Sequence, residues 1–506
     1  MVHSGPVERK VVAVAVDFTG VVPELAINVD KSAAAPLGQQ MQEGLRTAIR
    51  DGRLHSDERL PSTRQLADQL GVSRGLVVAA YEQLYAEGYL VTAVGSGTRV
   101  AAGLAGAVDR GTAGATGRPA NGRGGSAPGP GGEPVPDVDF GYGVPDLRSF
   151  PTRDWLWALG EATRRVPTAD LGDDQEQGDG HLREVLTSYH RRVRAGRAEP
   201  EDAIVGGGFR QGLTFVLSAL ARHGIERIGL EDPGPREHDR IARRAGLRVS
   251  AVPVDADGVD VGALRASGAR AVLLTPAHQC PTGAVLSPVR RLQLVEWARD
   301  VDGVILEDDY DAEFRYDRQP VGSLQGLAPD HVVALGSVSK TLAPALRIGW
   351  VLTPPRFRPA ILTEKLLTCR GVPQLDQAAL ATLIESGRFD RHLRKVRDVY
   401  RQRRDVLVDA VAHDLGGASI VGLEAGHHVL LQLPPGVDEE LIVTRAAAAS
   451  VAVRGVNYYR VHADSDKPPD RLPAALVIGF GNTTPSRIRQ GISILGSLIA
   501  THSSPC

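Results

Sequence analysis

The chain has 506 residues, 42% of them hydrophobic and 23% charged, the composition of an ordinary soluble protein too long for one core, so two or more domains are expected. A formal net charge of −2 supplies no bulk attraction for nucleic acid, and a DNA-binding surface has to come from locally placed residues. Cys280, Cys369 and Cys506 are odd in number, far apart and without a Cys-x-x-Cys pair, which argues against a disulfide framework or a zinc site, leaves no metal site expected, and fits a reducing cytosol. The apolar run Val11–Val16 ends at Asp17, too short for a signal-peptide core or a membrane span, so a cytoplasmic protein is expected.

Gln39–Arg50 places Met41, Leu45 and Ile49 at helical spacing, with Gly52 as a stop. Leu60, Pro61 and Ser62 open a second helix, Ser62 as its N-cap, through Leu66, Ala67 and Leu70. Gly71-Val-Ser73 is a tight turn, and Ser73 caps a third helix, Arg74–Glu87, with Leu76, Val77, Ala80, Tyr81 and Leu84 on its apolar side. Two helices joined by a glycine-containing turn make a helix-turn-helix. Tyr89–Val91 and Arg99–Val100 around Gly95-Ser-Gly97 predict a two-stranded wing. Residues 36–103 carry seven basic and seven acidic side chains, so charge does not separate a DNA reader from a helical domain with solvated arginines. Position does, because Arg64 and Arg74 stand near helix starts, where a winged helix meets phosphates and base edges.

Leu60-Pro-Ser-Thr-Arg64, Gly71-Val-Ser-Arg74, Ala80-Tyr-Glu-Gln-Leu, Ala86-Glu-Gly-Tyr-Leu and Gly95-Ser-Gly-Thr resemble the GntR-type winged helix over about residues 36–100. The resemblance implies that Arg64, Arg74 and the wing glycine Gly97 approach double-stranded DNA, with Ser62 and Ser73 beside them.

Residues 101–136 are mostly Gly, Ala and Pro with no apolar period, a flexible linker with a reach of about 30–35 Å. It divides a small domain at 30–100 from a large one at 137–500. In the large domain Ala203–Val205, Ile228–Leu230, Ala271–Leu274, Val304–Leu306, Val332–Leu335 and Ile348–Val351 alternate with helical stretches. That pattern predicts an α/β domain with a mainly parallel sheet. Several strands end in polar or turn residues, and ligands in such sheets bind beyond the carboxyl ends of strands. Gly206-Gly-Gly208-Phe209 leads into a helix, an entry that offers N–H groups to a phosphate.

Lys340 stands out. The chain has six lysines, at 10, 31, 340, 365, 395 and 467, and this one lies between Ser337, Ser339 and Thr341 where a short strand ends. A buried lysine can lose its proton and attack a carbonyl, which arginine cannot. Val304–Leu306 runs into Glu307, Asp308 and Tyr310, so a second strand ends in carboxylates and a tyrosine. A carboxylate for a pyridine nitrogen and a lysine for an aldehyde are what pyridoxal phosphate requires. Arg347 supplies a cation for its phosphate.

Residues 137–485 resemble the class I aminotransferase fold, fold type I of the pyridoxal-phosphate enzymes. Asp137-Val-Asp-Phe-Gly-Tyr-Gly-Val-Pro-Asp146, Thr275-Pro-Ala-His-Gln-Cys-Pro-Thr-Gly283, Glu307-Asp-Asp-Tyr-Asp-Ala-Glu-Phe-Arg-Tyr316 and the arginine-rich Arg391–Arg404 carry the likeness. Winged helix, linker and aminotransferase-like domain together resemble the MocR/GabR-type transcriptional regulators. By that resemblance Lys340 forms the Schiff base, Asp308 faces the pyridine nitrogen and Tyr310 reaches the phenolic oxygen. Ser337, Ser339, Arg347 and the Gly208–Phe209 backbone hold the phosphate. It also implies a head-to-tail homodimer and a two-part operator.

Four positions depart from the aminotransferase pattern. Pro235 stands where a ring stacks on the cofactor, Cys280 where an Asn precedes Pro-Thr-Gly, and Leu171-Gly-Asp-Asp174 where a Tyr reaches the partner's phosphate. Val477 stands where an Arg grips the substrate carboxylate. Losing that clamp removes charge-assisted hydrogen bonds of about 1.5–3 kcal/mol each, so efficient transamination of ordinary amino acids is not expected. Three readings compete: a regulator that senses pyridoxal phosphate or an amine and controls vitamin B6 metabolism (the PdxR type) or amino-compound metabolism, an active aminotransferase with an accessory DNA-binding domain, and a repressor whose large domain has lost its cofactor. Lys340, Asp308, Tyr310 and Arg347 count against the third, Val477 and Pro235 against the second.

Overall fold

The computed structural model describes residues 35–50, 54, 58–87, 89–93, 97–101, 136–172, 176–316, 322–422, 425–462 and 472–503. The Val11–Val16 run, the helix stop at Gly52, nearly all of the 101–136 linker, Asp173, Asp174 and Cys506 lie outside them. Two compact units result, and among the described residues no helix is long and apolar enough to cross a membrane.

In the N-terminal unit α1 (Leu37–Arg50) buries Met41, Leu45 and Ile49, as their spacing predicts. Helix α2 (Thr63–Leu70) starts from a capping box, with Ser62 Oγ accepting from Gln65 N and the Gln65 side chain accepting from Ser62 N, and ends at Gly71 with φ 59°. Ser73 caps α3 (Arg74–Ala86) by accepting from Leu76 N. Helix α3 stops one residue before Glu87, whose carboxylate turns to the buried Arg46 guanidinium of α1 with two contacts of 2.6 Å. A bidentate buried pair of this kind fixes one helix against the other more by geometry than by net energy. Strands β1 (Leu90–Ala93) and β2 (Gly97–Val100) pair antiparallel from Leu90–Val100 to Ala93–Gly97 and form the wing.

The second unit opens with β3 (Val138–Asp139), α4 (Thr152–Arg165) and α5 (Gly180–Arg194). Strand β4 (Ala203–Gly206) leads into α6 (Phe209–Arg222), and β5 (Arg227–Asp232) into α7 (Arg236–Arg244). Then come β6 (Arg248–Asp255), β7 (Gly258–Val259), β8 (Ala271–Leu274), β9 (Val304–Asp309), β10 (Val332–Ser337) and β11 (Gly349–Leu352). They form one sheet in the order β4-β11-β10-β9-β8-β5-β6-β7. The pairs β10–β9, β9–β8, β8–β5 and β5–β6 are parallel. β11 runs antiparallel to both of its neighbours. Residues of β4 and β8 are buried throughout, as expected of strands covered on both faces. The unit continues with β12 (Ser419–Val421), β13 (His428–Gln432), β14 (Val451–Ala452), β15 (Arg454–Gly455) and β16 (Ala475–Gly479). A second, four-stranded sheet has the order β12-β13-β16-β15, and β14 pairs with β3.

Candidate functional site

The parallel register sets Leu335 of β10 beside Asp308 of β9, so the turn after β10 and the end of β9 lie side by side. Lys340 sits in that turn. Burial pushes its pKa down, and the nearby Asp308 carboxylate acts the other way. Burial pushes the Asp308 carboxyl well up, Asp309 adds to this, and Lys340 opposes it. Nζ of Lys340 donates to the Gly143 carbonyl and lies 6.0 Å from the centre of the Tyr142 ring. A shielded amine with a depressed pKa, next to a carboxylate, is suited to attack a carbonyl group.

Registers build the second half of the site. Ser337 pairs with Gly349, and Gly349 with Gly206, so the end of β10, the start of β11 and the end of β4 share one corner. Close approach there requires glycine: a Cβ on Gly349 would come 2.7 Å from Gly208 Cα. Gly208 itself has φ +96°, and a Cβ on it would lie 3.4 Å from Arg347 Nη2. Exposed Arg347, also left-handed at φ 51°, donates from Nη2 to the Gly207 carbonyl at 2.6 Å. Among the described residues no side chain caps α6, so its first N–H groups, beginning at Phe209, face the same corner as the guanidinium, an arrangement suited to a phosphate. Ser337 Oγ accepts from Ser339 N at 3.4 Å, which ties both serines into the same turn. Lys340, Asp308, Ser337, Ser339, Arg347, Gly208 and Phe209 are thus brought to one carboxyl edge.

Tyr310 follows β9, but its hydroxyl donates to the His278 carbonyl at 2.9 Å. Pro235 is the N-cap residue of α7, and three residues later the buried His238 ring stands 5.6 Å from the Phe209 ring. Its Nε2 is 3.9 Å from Asp308 Oδ2. Sequence reading singled out Pro235 for the ring it lacks and missed His238, whose neighbours come from α6 and β9. Val477 is buried in β16 and packs with Cys280 and Tyr459, with Tyr142, Tyr310 and Leu430 around them. Burial pushes the Cys280 thiol up, so the space expected for a carboxylate clamp is walled by apolar groups and a neutral thiol. Leu171 ends a short 3-10 turn and is 55% exposed.

His238 carries a pH prediction. Burial lowers its pKa to about 4, against about 6.5 when unfolded. Stability from the neutral ring is therefore complete above pH 6.5 and is lost as pH falls towards 4, a difference of about 3 kcal/mol. All four tryptophans, at 155, 157, 297 and 350, report on the large unit. Urea unfolding followed by their emission is expected to show wild type losing about 3 kcal/mol more than His238→Phe between pH 7 and pH 4. Equal losses would mean that His238 titrates freely.

In the N-terminal unit Ser62, Arg64, Ser73 and Arg74 are all exposed. Arg74 Nε points back to Thr63 Oγ1 at 3.5 Å, which places α3's first residue beside the start of α2. Gly97 opens β2 opposite Ala93.

Residues 37–100 match the family described as "Bacterial regulatory proteins, gntR family", and residues 146–493 match "Aminotransferase class I and II". The chain is 33% identical over 481 residues to the HTH-type pyridoxine biosynthesis transcriptional regulator PdxR of Corynebacterium glutamicum, covering 94% of this chain and 98% of that one. It is 32% identical over 475 residues to the probable rhizopine catabolism regulatory protein MocR of Rhizobium meliloti, covering 93% and 95%. An archaeal alanine:glyoxylate aminotransferase superposes with a TM-score of 0.64 at 22% identity, over 72% of this chain and 91% of its own. That likeness establishes the fold of the large unit.

Proposed function

The chain belongs to the MocR-type family of transcriptional regulators, a GntR-type winged helix joined to an aminotransferase class I and II domain, and from that premise we propose that occupancy of the Lys340 site by pyridoxal phosphate sets how the winged helix holds its operator. The observation that carries this reading is the contrast within one site: Lys340, Asp308 and the Gly208–Arg347 corner stand together, while Val477, packed against Cys280, fills the position of a substrate clamp with apolar surface. Pyridoxal phosphate, when bound, supplies an aldehyde to a lysine amine and a pyridine nitrogen to a carboxylate. Lys340 holds the amine that its burial keeps ready, and Asp308 takes charge when a cationic nitrogen faces it. Arg347 and the start of α6 balance the phosphate, with Ser337 and Ser339 as hydroxyl donors. His238 flanks Asp308.

The effector follows from what the site lacks. With Val477 at the clamp position among the described residues, common amino acids have little to hold them, so we assign pyridoxal phosphate itself as the signal, with control of vitamin B6 metabolism. The relative PdxR, a pyridoxine biosynthesis regulator by name, supports that choice. Residues 30–100 serve as the DNA-binding domain, 101–136 as the linker and 137–500 as the effector domain. Two chains pair head-to-tail and read a two-part operator.

A ligand moves a regulator only through different affinity for two states, typically about 5–150-fold. Operator fragments recovered by in vitro selection are expected to bind the full-length protein with at least about a 5-fold difference between cofactor-free and pyridoxal-phosphate-loaded forms. Equal affinities and equal footprints would end this reading. Rapid conversion of bound cofactor to its amine form by an ordinary α-amino acid would favour an active aminotransferase instead.

A further inference from the structure

Three buried side chains from distant parts of the sequence meet beside the Lys340 site, where no metal site was expected. His278 lies four residues past β8, Asp311 two past β9, and His428 begins β13. Their exposures are 3%, 2% and 1%. One donor atom from each lies within 4.8 Å of the others. His278 Nδ1 is 2.8 Å from Asp311 Oδ2, and the His278 and His428 rings are 4.8 Å apart between centres. Neither ring nitrogen of His428 has a hydrogen-bond partner among the described residues, although the Pro281 backbone is close enough to favour its proton.

We propose that His278, Asp311 and His428 form a binding site for a divalent first-row transition metal of the zinc type. Two imidazoles and one carboxylate are a donor set that such ions take, with one position left open. Burial keeps His428 neutral, the form that ligates. Binding of such an ion displaces any proton from its ligand atoms to solvent. Tyr310 steadies His278, since its hydroxyl donates to the His278 carbonyl and stands 3.3 Å from Nδ1. Gly426, at φ +68°, keeps the near side open: a Cβ there would fall 2.4 Å from Asp311 Oδ2 and 2.6 Å from His278 Nδ1.

The placement has a consequence. His278 and Asp311 follow strands of the eight-stranded sheet, whereas His428 belongs to the four-stranded one. An ion held by all three fastens the two sheets together next to Tyr310, and gives the large unit an input separate from its cofactor.

The test uses untagged, full-length, cofactor-free protein titrated with zinc, with cobalt(II) as a spectroscopic substitute. One zinc per chain, a raised melting temperature and a visible cobalt absorption of nitrogen–oxygen ligation are expected. His428→Leu should weaken zinc binding by at least about 100-fold. His427→Leu removes an equally buried ring, its nitrogens also without a hydrogen-bond partner among the described residues, that lies outside the donor set and should leave affinity within a few-fold. Should His428→Leu lose its circular dichroism, Asp311→Asn decides: loss of zinc from a folded protein supports the site, and retention overturns it. The proposal also fails if wild type binds no stoichiometric zinc, if folded His428→Leu binds like wild type, or if both histidine variants lose zinc alike. None of these outcomes depends on operator binding or on pyridoxal phosphate.

Discussion

Lys340→Ala protein, incubated with pyridoxal phosphate, reduced with borohydride and digested, is expected to yield no pyridoxyl-bearing peptide, where wild type yields the one containing Lys340. The expectation rests on how differently the described lysines are placed. Lys365 is fully buried and donates to the Glu176 carbonyl at 2.8 Å, which occupies its amine. Lys395 is exposed on a helix and not set at a strand end. Only Lys340 among them combines a pKa lowered by burial with the Asp308 carboxylate nearby. The variant keeps Arg347, Gly208 and Ser337, so it should still take up the cofactor without a covalent bond and be washed free on dialysis. A pyridoxyl group found at equal yield in the variant would show that Lys340 is not the attachment point.

Much of this site was legible because its residues stand at the ends of contiguous strands. Asp308 ends a run of buried aliphatic residues, Ser337 ends another, and Gly206–Gly208 mark a strand turning into a helix. Each is a local signal. His238, His278 and His428 had no such signal: a histidine met in a sequence is more often a structural residue than a ligand, and their neighbours come from elements far away in sequence. Pro235 shows the limit from the other side. Its lack of a ring was readable, but not that His238, on the first turn of α7, would stand by Asp308.

The fold divides in the same way. Buried strands such as Ala271–Leu274 were plain as short aliphatic runs. β6 was not expected, because Arg248, Ser250, Pro253 and Asp255 interrupt its apolar positions, and only Val249 and Val252 of its eight residues are buried, as befits a strand near the sheet edge. Nor was the four-stranded sheet, whose β12 and β15 have three and two residues. Pairing there is decided by partners, β13 with β16 above all, and periodicity over so few residues carries little weight. Val477 belongs to this part. As an apolar strand residue it reads as core, and only its contacts with Cys280 and Tyr459 show that the wall it forms faces Tyr142 and Tyr310.

The Arg64→Ala, Arg74→Ala double variant is expected to lose operator binding while remaining folded. Both side chains are exposed, and truncating exposed residues usually changes stability by no more than about 0.5 kcal/mol. The elements that shape the unit stay in place: the Ser62–Gln65 capping box, the Ser73 cap, and the pair of Arg46 in α1 with Glu87, the residue after α3. What is removed is charge at the starts of α2 and α3, where a winged helix meets phosphates and the major groove. Arg74 heads the helix that would enter the groove, so Arg74→Ala alone should cost about 1–3 kcal/mol and relax discrimination at one base position if it reads a base edge. Arg64 precedes the recognition helix and is assigned to phosphate, so its loss should weaken all sequences about equally and lower the salt slope by about one counterion. Fluorescence anisotropy on selected and scrambled operators across a salt series separates these roles. If the double variant bound the selected operator as tightly as wild type, neither arginine would lie in the DNA interface, and the surface assigned to α2 and α3 would have to be given up.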